Sequence, residues 1–509
     1  MHIGNLLKFS ATSLVALGVA MGAAPALAQD QGESEIQPGE IVVTAQKREE
    51  RLQDVPLAVT AVSAETLSLR QINDTNSLVL AVPSLSFQQG ANPSNTSFRI
   101  RGVGTALFGQ GVEPSVSVVV DGVVAVRSAQ GFSELADIEQ VEVLRGPQGT
   151  LFGKNASAGV ISVTTARPTR DFEGKGEITI AEHNEYRARG TVSGPITDTL
   201  RARVSGFYSD VQGITRNIGT NEWVNGTKNW GVRGKLEWEA ASNLTFLLMG
   251  EYRKTDSDCC ASTLIDIRNP LLQTVVGPIR ATRRNRQINE DTNTFSNSSA
   301  QTYSLQADWD LGSATVTSIS AYQKFNLDVN QPIDRINARS PIFLGSAAVA
   351  PYTFWNQNGG QVDLDAWSQE LRIASDNESP FQWVVGGFYS KVDRVYAQRL
   401  PTPGYDAVTD ATLGAGTSAA VANGFPANSP YNADLPYDIK QFALFGEVSY
   451  DLSEAFTATA GGRYYDFKET RSFVSGGLFA NGDNRTDSTK SSGFTPRFLL
   501  SYAVADDVT

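Results

Sequence analysis

The sequence predicts a mainly β protein, most of it a transmembrane antiparallel β-barrel, preceded by a small α/β domain. Three observations predict the barrel. First, from Gly174 onward, runs of about ten residues alternate in polarity with the period of two that marks a strand. Leu200, Ala202, Val204, Gly206 and Tyr208 share one face, and Arg201, Arg203 and Ser205 the other. The same holds for Trp230 to Trp238, Tyr303 to Trp309 and Phe442 to Tyr450. Second, aromatic residues gather at the strand ends, as in the interfacial girdles of membrane barrels. Third, tight turns at Thr197–Thr199, Ala240–Ser242, Leu311–Ser313 and Asp451–Ser453 alternate with long loops over 257–299, 326–364 and 395–436. A soluble β-sandwich shares the alternation but has short loops at both ends, so the loop asymmetry favours the membrane.

At 509 residues the chain exceeds one ordinary core, and length alone implies two or more units. A formal charge of −12 with 19% charged residues gives no basic surface for nucleic acid. The N-terminus is a secretory signal over residues 1–28. Lys8 supplies the positive region, Phe9–Ala23 the apolar run and Ala26-Leu27-Ala28 the cleavage site, leaving Gln29 first. A retained anchor helix is disfavoured, because the run is short and contains Ser and Thr. Beyond it no run of about 18 apolar residues follows, so no membrane helix is expected. Cys259 and Cys260 are adjacent and cannot staple distant segments; a vicinal disulfide in a loop is expected, and metal binding lacks further ligands.

Residues 29–53 read as a flexible tail, polar and aperiodic at first. Within it lies a short β-prone run, Glu40-Ile41-Val42-Val43-Thr44-Ala45, readable as an edge strand of the next domain or as an extended segment with no partner of its own. Residues 54–168 form the α/β domain. Val55–Val62 is a strand candidate. Ser63 is a helix N-cap ahead of Leu67, Leu69 and Ile72, and a second short helix spans Ser77–Val82 before Pro83. Ser97–Gly102 is a strand running into a Gly-rich loop. Val118–Val120 and Val123–Val124 flank Asp121-Gly122 as a hairpin. Phe132, Leu135 and Ile138 are spaced like a helical turn, and Val141–Leu144 and Gly159–Thr165 are strands. Gly153-Lys154 is no phosphate cradle, since Gln148 stands where the first glycine belongs and Asn155 replaces the hydroxyl.

Val120-Asp121-Gly122, Ile138–Val143, Arg145-Gly146-Pro147, Gly149–Gly153 and Ala158–Ile161 together resemble the end of the plug domain of TonB-dependent outer-membrane receptors, siderophore-receptor type. The resemblance implies that residues 54–168 plug the lumen of the barrel, 174–509. It implies that Glu40, Ile41, Val42, Val43, Thr44 and Ala45 are the TonB box, which would join TonB as an added strand. Energy would come from the inner membrane through TonB with its ExbB–ExbD complex. By resemblance, Glu142, Arg145 and the 146–153 segment bear on the barrel wall. Loops 103–114 and 124–131 would face outward, with Phe108, Gln110, Arg127 and Gln130 as ligand contacts; ordinary loop roles are an equal alternative. A further N-terminal signalling domain finds no room between Ala28 and the box.

The family's commonest cargo is a ferric siderophore. An oligosaccharide, cobalamin or a passive porin role stays open. Haem is disfavoured by a single mature histidine, His183. Arg280, Arg283, Arg284 and Arg286 would attract an anionic chelate or, as the blander role, lipopolysaccharide phosphates. No catalytic constellation, cofactor or metal is expected. The family's large transporters have about 22 strands, whereas about twelve candidates are counted here, so the chain is expected to be incomplete at its C-terminus.

Overall fold

The computed structural model describes residues 41–509 apart from 49, 89–95, 106–112, 128–129, 131–133, 269–272, 274–275, 291–293, 333–355, 359–360, 378, 403, 454 and 504–509. Signal region, tail start, Glu40, Phe108 and Gln110 therefore lie outside the described residues.

Among the described residues, twelve strands form one antiparallel meander in which every strand pairs with the next along it. They are β1 (Glu173–Ala181), β2 (Glu185–Pro195), β3 (Leu200–Val211), β4 (Thr227–Ala241), β5 (Leu244–Ser257), β6 (Phe295–Asp310), β7 (Ala314–Pro332), β8 (Gln361–Ser375), β9 (Phe381–Arg399), β10 (Asn432–Ser453), β11 (Phe456–Gly476) and β12 (Asn484–Tyr502). A three-residue strand, Asn356–Asn358, pairs beside β7. The tight turns of the sequence fall at one end of this wall and the long loops at the other. The expected length of about ten residues is too short, however: β10 has 22 and β11 has 21. Alternating polarity stops marking a strand where it leaves lipid, so the predicted loop starts at 326 and 395 are in fact strand. The short outer hairpin at residues 182–184 is an exception to the loop asymmetry.

The wall is inside out relative to a soluble sheet. On β3, Val204 is 54% exposed while its neighbour Arg203 is 5% exposed. Trp230, Val232, Leu236 and Trp238 on β4 are likewise exposed, and Lys235 and Glu237 between them are buried. Apolar side chains facing outward with charges facing the centre is the arrangement lipid demands. The cross-strand pairing keeps the aromatic layers level: Trp238 opposes Phe246, Tyr303 opposes Tyr322 and Phe456 opposes Tyr502.

Against the inner face packs the α/β domain. Its five-stranded sheet runs in the order Val59–Ser63, Ile138–Arg145, Gly159–Thr165, Val116–Val120, Val123–Val124. All neighbours are antiparallel except the Val116–Val120 and Gly159–Thr165 pair. Asp121 (φ 46°) and Gly122 (φ 77°) make the expected hairpin turn with two positive φ values. Helix α1, Ala64–Leu69, starts where Ser63 Oγ accepts from the Thr66 N–H at 3.3 Å, and Leu67 buries against the sheet. The core joins Leu67, Ile72, Leu78, Phe98, Ile100, Val141, Val143 and Ile161.

Two local expectations need correction. The helical turn through Leu135 and Ile138 does not form in the described residues. Asp137 takes φ 56°, which a helix forbids, and Ile138 opens a strand instead. Conversely, Gly149–Phe152 is a short helix, α2, in a stretch that carries no helical periodicity.

Candidate functional site

Ile41–Ala45 is not a free segment. Val42 and Val43 pair antiparallel with Arg51 and Glu50, and Leu52 N–H donates to Ile41 O at 2.8 Å. Val43 and Ala45 are fully buried in a second apolar cluster with Val55, Val119, Leu144, Ala156 and Val160. The reason is visible in the alternation: Val43 and Ala45 share a face, as a strand of period two requires, and the domain offers an apolar slot for it. Burying Val43 alone contributes on the order of 2 kcal/mol.

Glu142 fixes the same segment from below. Its Oε1 accepts from Thr44 N–H at 2.8 Å, Thr44 Oγ1 at 3.1 Å and Gln140 Nε2 at 3.1 Å, and Gln140 Nε2 also donates to Val42 O at 3.0 Å. Arg145 donates to the carbonyls of Ala58 and Val59 at 3.2 and 3.3 Å. The expected wall contacts of Glu142 and Arg145 are thus replaced by other contacts. Strands 59–63 and 138–145 are neighbours, so Arg145 meets the start of the adjoining strand, while Glu142 is taken up by Thr44 and Gln140.

The contacts that do cross to the barrel come from other residues, including Leu151 and Gly153 of the 146–153 segment, which lie against the wall as expected. Asp121 accepts from Thr165 N–H at 2.8 Å and pairs with Lys235 of β4 at 3.1 Å. Glu134 meets Arg187 and Arg189 of β2, and Asp137 accepts from Arg203 Nε of β3 at 2.7 Å. Burial would push the Asp137 carboxyl up, but the Arg203 guanidinium outweighs it and holds the group below the usual carboxylate range. Lys47 crosses at the short-turn end, its ammonium 2.6 and 2.7 Å from both oxygens of Glu370 on β8. Burial pulls that ammonium down to about 8 despite Glu370. The alternation could have flagged these partners, because a charge on the lumen-facing side of a barrel strand needs one.

A cavity of about 980 Å³ lies between the domain and the wall. Val42, Thr44, Lys47 and Glu142 line one end; Glu113, Arg127, Lys154 and Arg394 line the other. Arg394 of β9 lies over the Tyr437 ring at 4.1 Å, and Arg471 approaches the same ring at 5.9 Å. Arg127 is buried beside them, and burial together with the Arg394 charge pulls its guanidinium down to about 10. Two buried guanidinium groups facing one space favour an anion there. Gln130 is committed elsewhere: it accepts from Arg127 N–H at 2.9 Å, donates to Gln323 at 3.4 Å, and its carbonyl takes Arg253. Of the two described ligand candidates, only Arg127 therefore faces a ligand-sized space. The Cys259–Cys260 disulfide is present in the loop after β5. Among the described residues no cluster of ligands for a metal occurs.

Glu142 makes the stability of the fold respond to pH. Burial pushes its carboxyl above the usual range, with the Thr44 and Gln140 bonds opposing, and Oε2 is buried without a hydrogen-bond partner among the described residues. A raised carboxyl contributes stability that is fully present below the ordinary value of 4.5 and is lost as pH rises through the raised one. Glu142→Gln is expected to flatten that part of the pH dependence, read by urea unfolding across the acidic range.

Comparison with known proteins places these features. Residues 51–160 match the TonB-dependent receptor plug domain, and residues 263–509 match the TonB-dependent receptor-like β-barrel. The pesticin receptor of Yersinia pestis is 34% identical over 202 residues, 40% of this chain and 28% of that protein. The ferric enterobactin receptor PirA of Pseudomonas aeruginosa is 27% identical over 267 residues, 47% of this chain and 36% of that one. The matches thus span about a third of the length of these curated relatives. Among solved structures, the ferric yersiniabactin uptake receptor FyuA of Yersinia pestis superposes with a TM-score of 0.70 at 20% identity, covering 88% of this chain and 62% of that one. FpvA of Pseudomonas aeruginosa bound to heterologous pyoverdines gives 0.69 at 16%, covering 92% and 58%.

Proposed function

We propose that this chain, which belongs to the TonB-dependent receptor family, imports an anionic ferric siderophore across the bacterial outer membrane. The observation that carries the proposal is one continuous cavity lined by Arg127 and Arg394 and by residues of the docked Ile41–Ala45 segment. Cargo and energy input would then address opposite ends of one space. The chelate binds at the outer end, where the Arg127 and Arg394 guanidinium groups match a charged ligand. Its arrival frees Ile41–Ala45, and TonB, driven by ExbB–ExbD, takes the segment as an added strand. Traction on that strand remodels the domain, and the cargo passes along the polar cavity. Relatives named as receptors for ferric enterobactin and ferric yersiniabactin support this choice of cargo.

Binding of a panel of ferric chelates to the full chain tests the reading. Anionic chelates are expected to bind, and Arg394→Met to weaken them about 10- to 100-fold, equivalent to about 1.4–3 kcal/mol. Equal binding of cationic and anionic chelates, or an unchanged affinity in the variant, overturns it.

A further inference from the structure

We infer that helix α2 is the coupling element between the two ends of the cavity, gripped outside through Lys154 and Glu113 and closing, through Phe152, a socket around Lys47. The inference rests on the transport reading above and adds the route by which occupancy reaches the docked segment.

At the outer end, Lys154 pairs with Glu113, whose charge also acts on Arg127, and its ammonium lies 4.3 Å from the Phe467 ring of β11. An anion arriving at Arg127 and Arg394 therefore competes with Glu113 for the same cations. Only Gly153 separates Lys154 from α2. That glycine has φ 88°, and a Cβ there would stand 3.2 Å from Arg463 Nη2, so the helix end sits flush on the wall. Leu151 buries into the wall with Ala374, Val384 and Phe445. The helix is thus a single turn seated on β8 to β12.

At the inner end, the Lys47 ammonium is enclosed by Glu370, the Phe445 ring at 4.6 Å and the Phe152 ring of α2 at 5.6 Å. Arg372 holds Glu370 at 2.9 Å from the side. Lys47 N–H donates to Thr44 O at 3.0 Å, which makes the ammonium a handle on Ile41–Ala45. Glu370 and Phe445 of the barrel supply two sides of the socket and α2 the third. A shift of α2 withdraws Phe152, admits water to the ammonium and removes the desolvated setting that makes its pairing strong. The docked segment is the two-state element that such a shift biases.

A nitroxide at Ile41 in the full chain reads the docked and released states without cargo or TonB. Lys47→Met and Glu370→Gln are expected to raise the mobile fraction at least about fivefold, and Lys47→Arg to keep it low. Lys154→Met and Phe152→Leu, which leave the socket's ion pair intact, are expected to raise it at least about twofold, while Lys391→Met on the barrel exterior leaves it unchanged. If Lys154→Met and Phe152→Leu both give the wild-type spectrum, α2 is not the coupling element; if Lys47→Met does, there is no socket. A purified periplasmic fragment of TonB separates this result from the transport reading. Release of the label without tighter binding of that fragment overturns the energising role and leaves the coupling standing.

Discussion

Deleting Ile41–Ala45 lowers energised uptake at least about a hundredfold, while chelate binding at the outer end persists. An added strand is held mainly by backbone hydrogen bonds, each contributing about 0.5–1.5 kcal/mol net, so losing four or five removes several kcal/mol of affinity for TonB. Among the described tail residues, Arg48 pairs with Glu50 and Lys47 is committed to Glu370. The docked structure adds a contrast that a free segment would not give. Val43 fills an apolar slot and Val42–Val43 already has a strand partner, so TonB competes with the protein's own domain for the same backbone. Val43→Asp breaks the slot but keeps the backbone, and it is expected to raise TonB-fragment binding without cargo while the deletion abolishes it. Uptake that survives the deletion would sink the transport reading in favour of a passive pore.

The sequence made the wall legible and the site only partly so, for one physical reason. A barrel strand repeats its rule every two residues under lipid, so Val204, Trp230 and Leu444 announce their face many times over. The domain's hairpin at Asp121-Gly122 and the cap at Ser63 are also local, set by a turn type and a single hydroxyl. The site is not local. The Lys47–Glu370 pair spans 323 positions and Thr44–Glu142 spans 98. No window of sequence contains both partners. Glu142 and Arg145 lie inside a recognisable motif, which pointed to the wall, yet register with the neighbouring strand decides what they touch. Ile41–Ala45 misleads in the same way. Its β-prone character is intrinsic, whereas the slot that buries Val43 is built by Val55, Val119 and Leu144 from three other segments. Strand ends were missed because alternation weakens above the membrane, where β10 still pairs with β9 and β11.

The inverted wall itself yields the second large effect, a substitution whose sign depends only on which face it occupies. On β9, Val385 is 53% exposed and lies four residues from both Phe381 and Tyr389, themselves exposed at the two aromatic levels. At about 3.4 Å per residue it sits near the middle of the apolar band. Val385→Lys is expected to cost about 2–4 kcal/mol in lipid, since the ammonium can reach neither interface without strain. Ser390, five residues on, points to the cavity instead. Ser390→Lys places the same charge in a polar, hydrated space and is expected to cost less than about 1 kcal/mol. Urea unfolding in lipid vesicles measures both. A soluble sheet of the same sequence would reverse the order, because its exposed face would meet water and its buried face a dry core. Equal costs at the two positions would remove the membrane from the description, and with it the need for any plug, box or outside energy source.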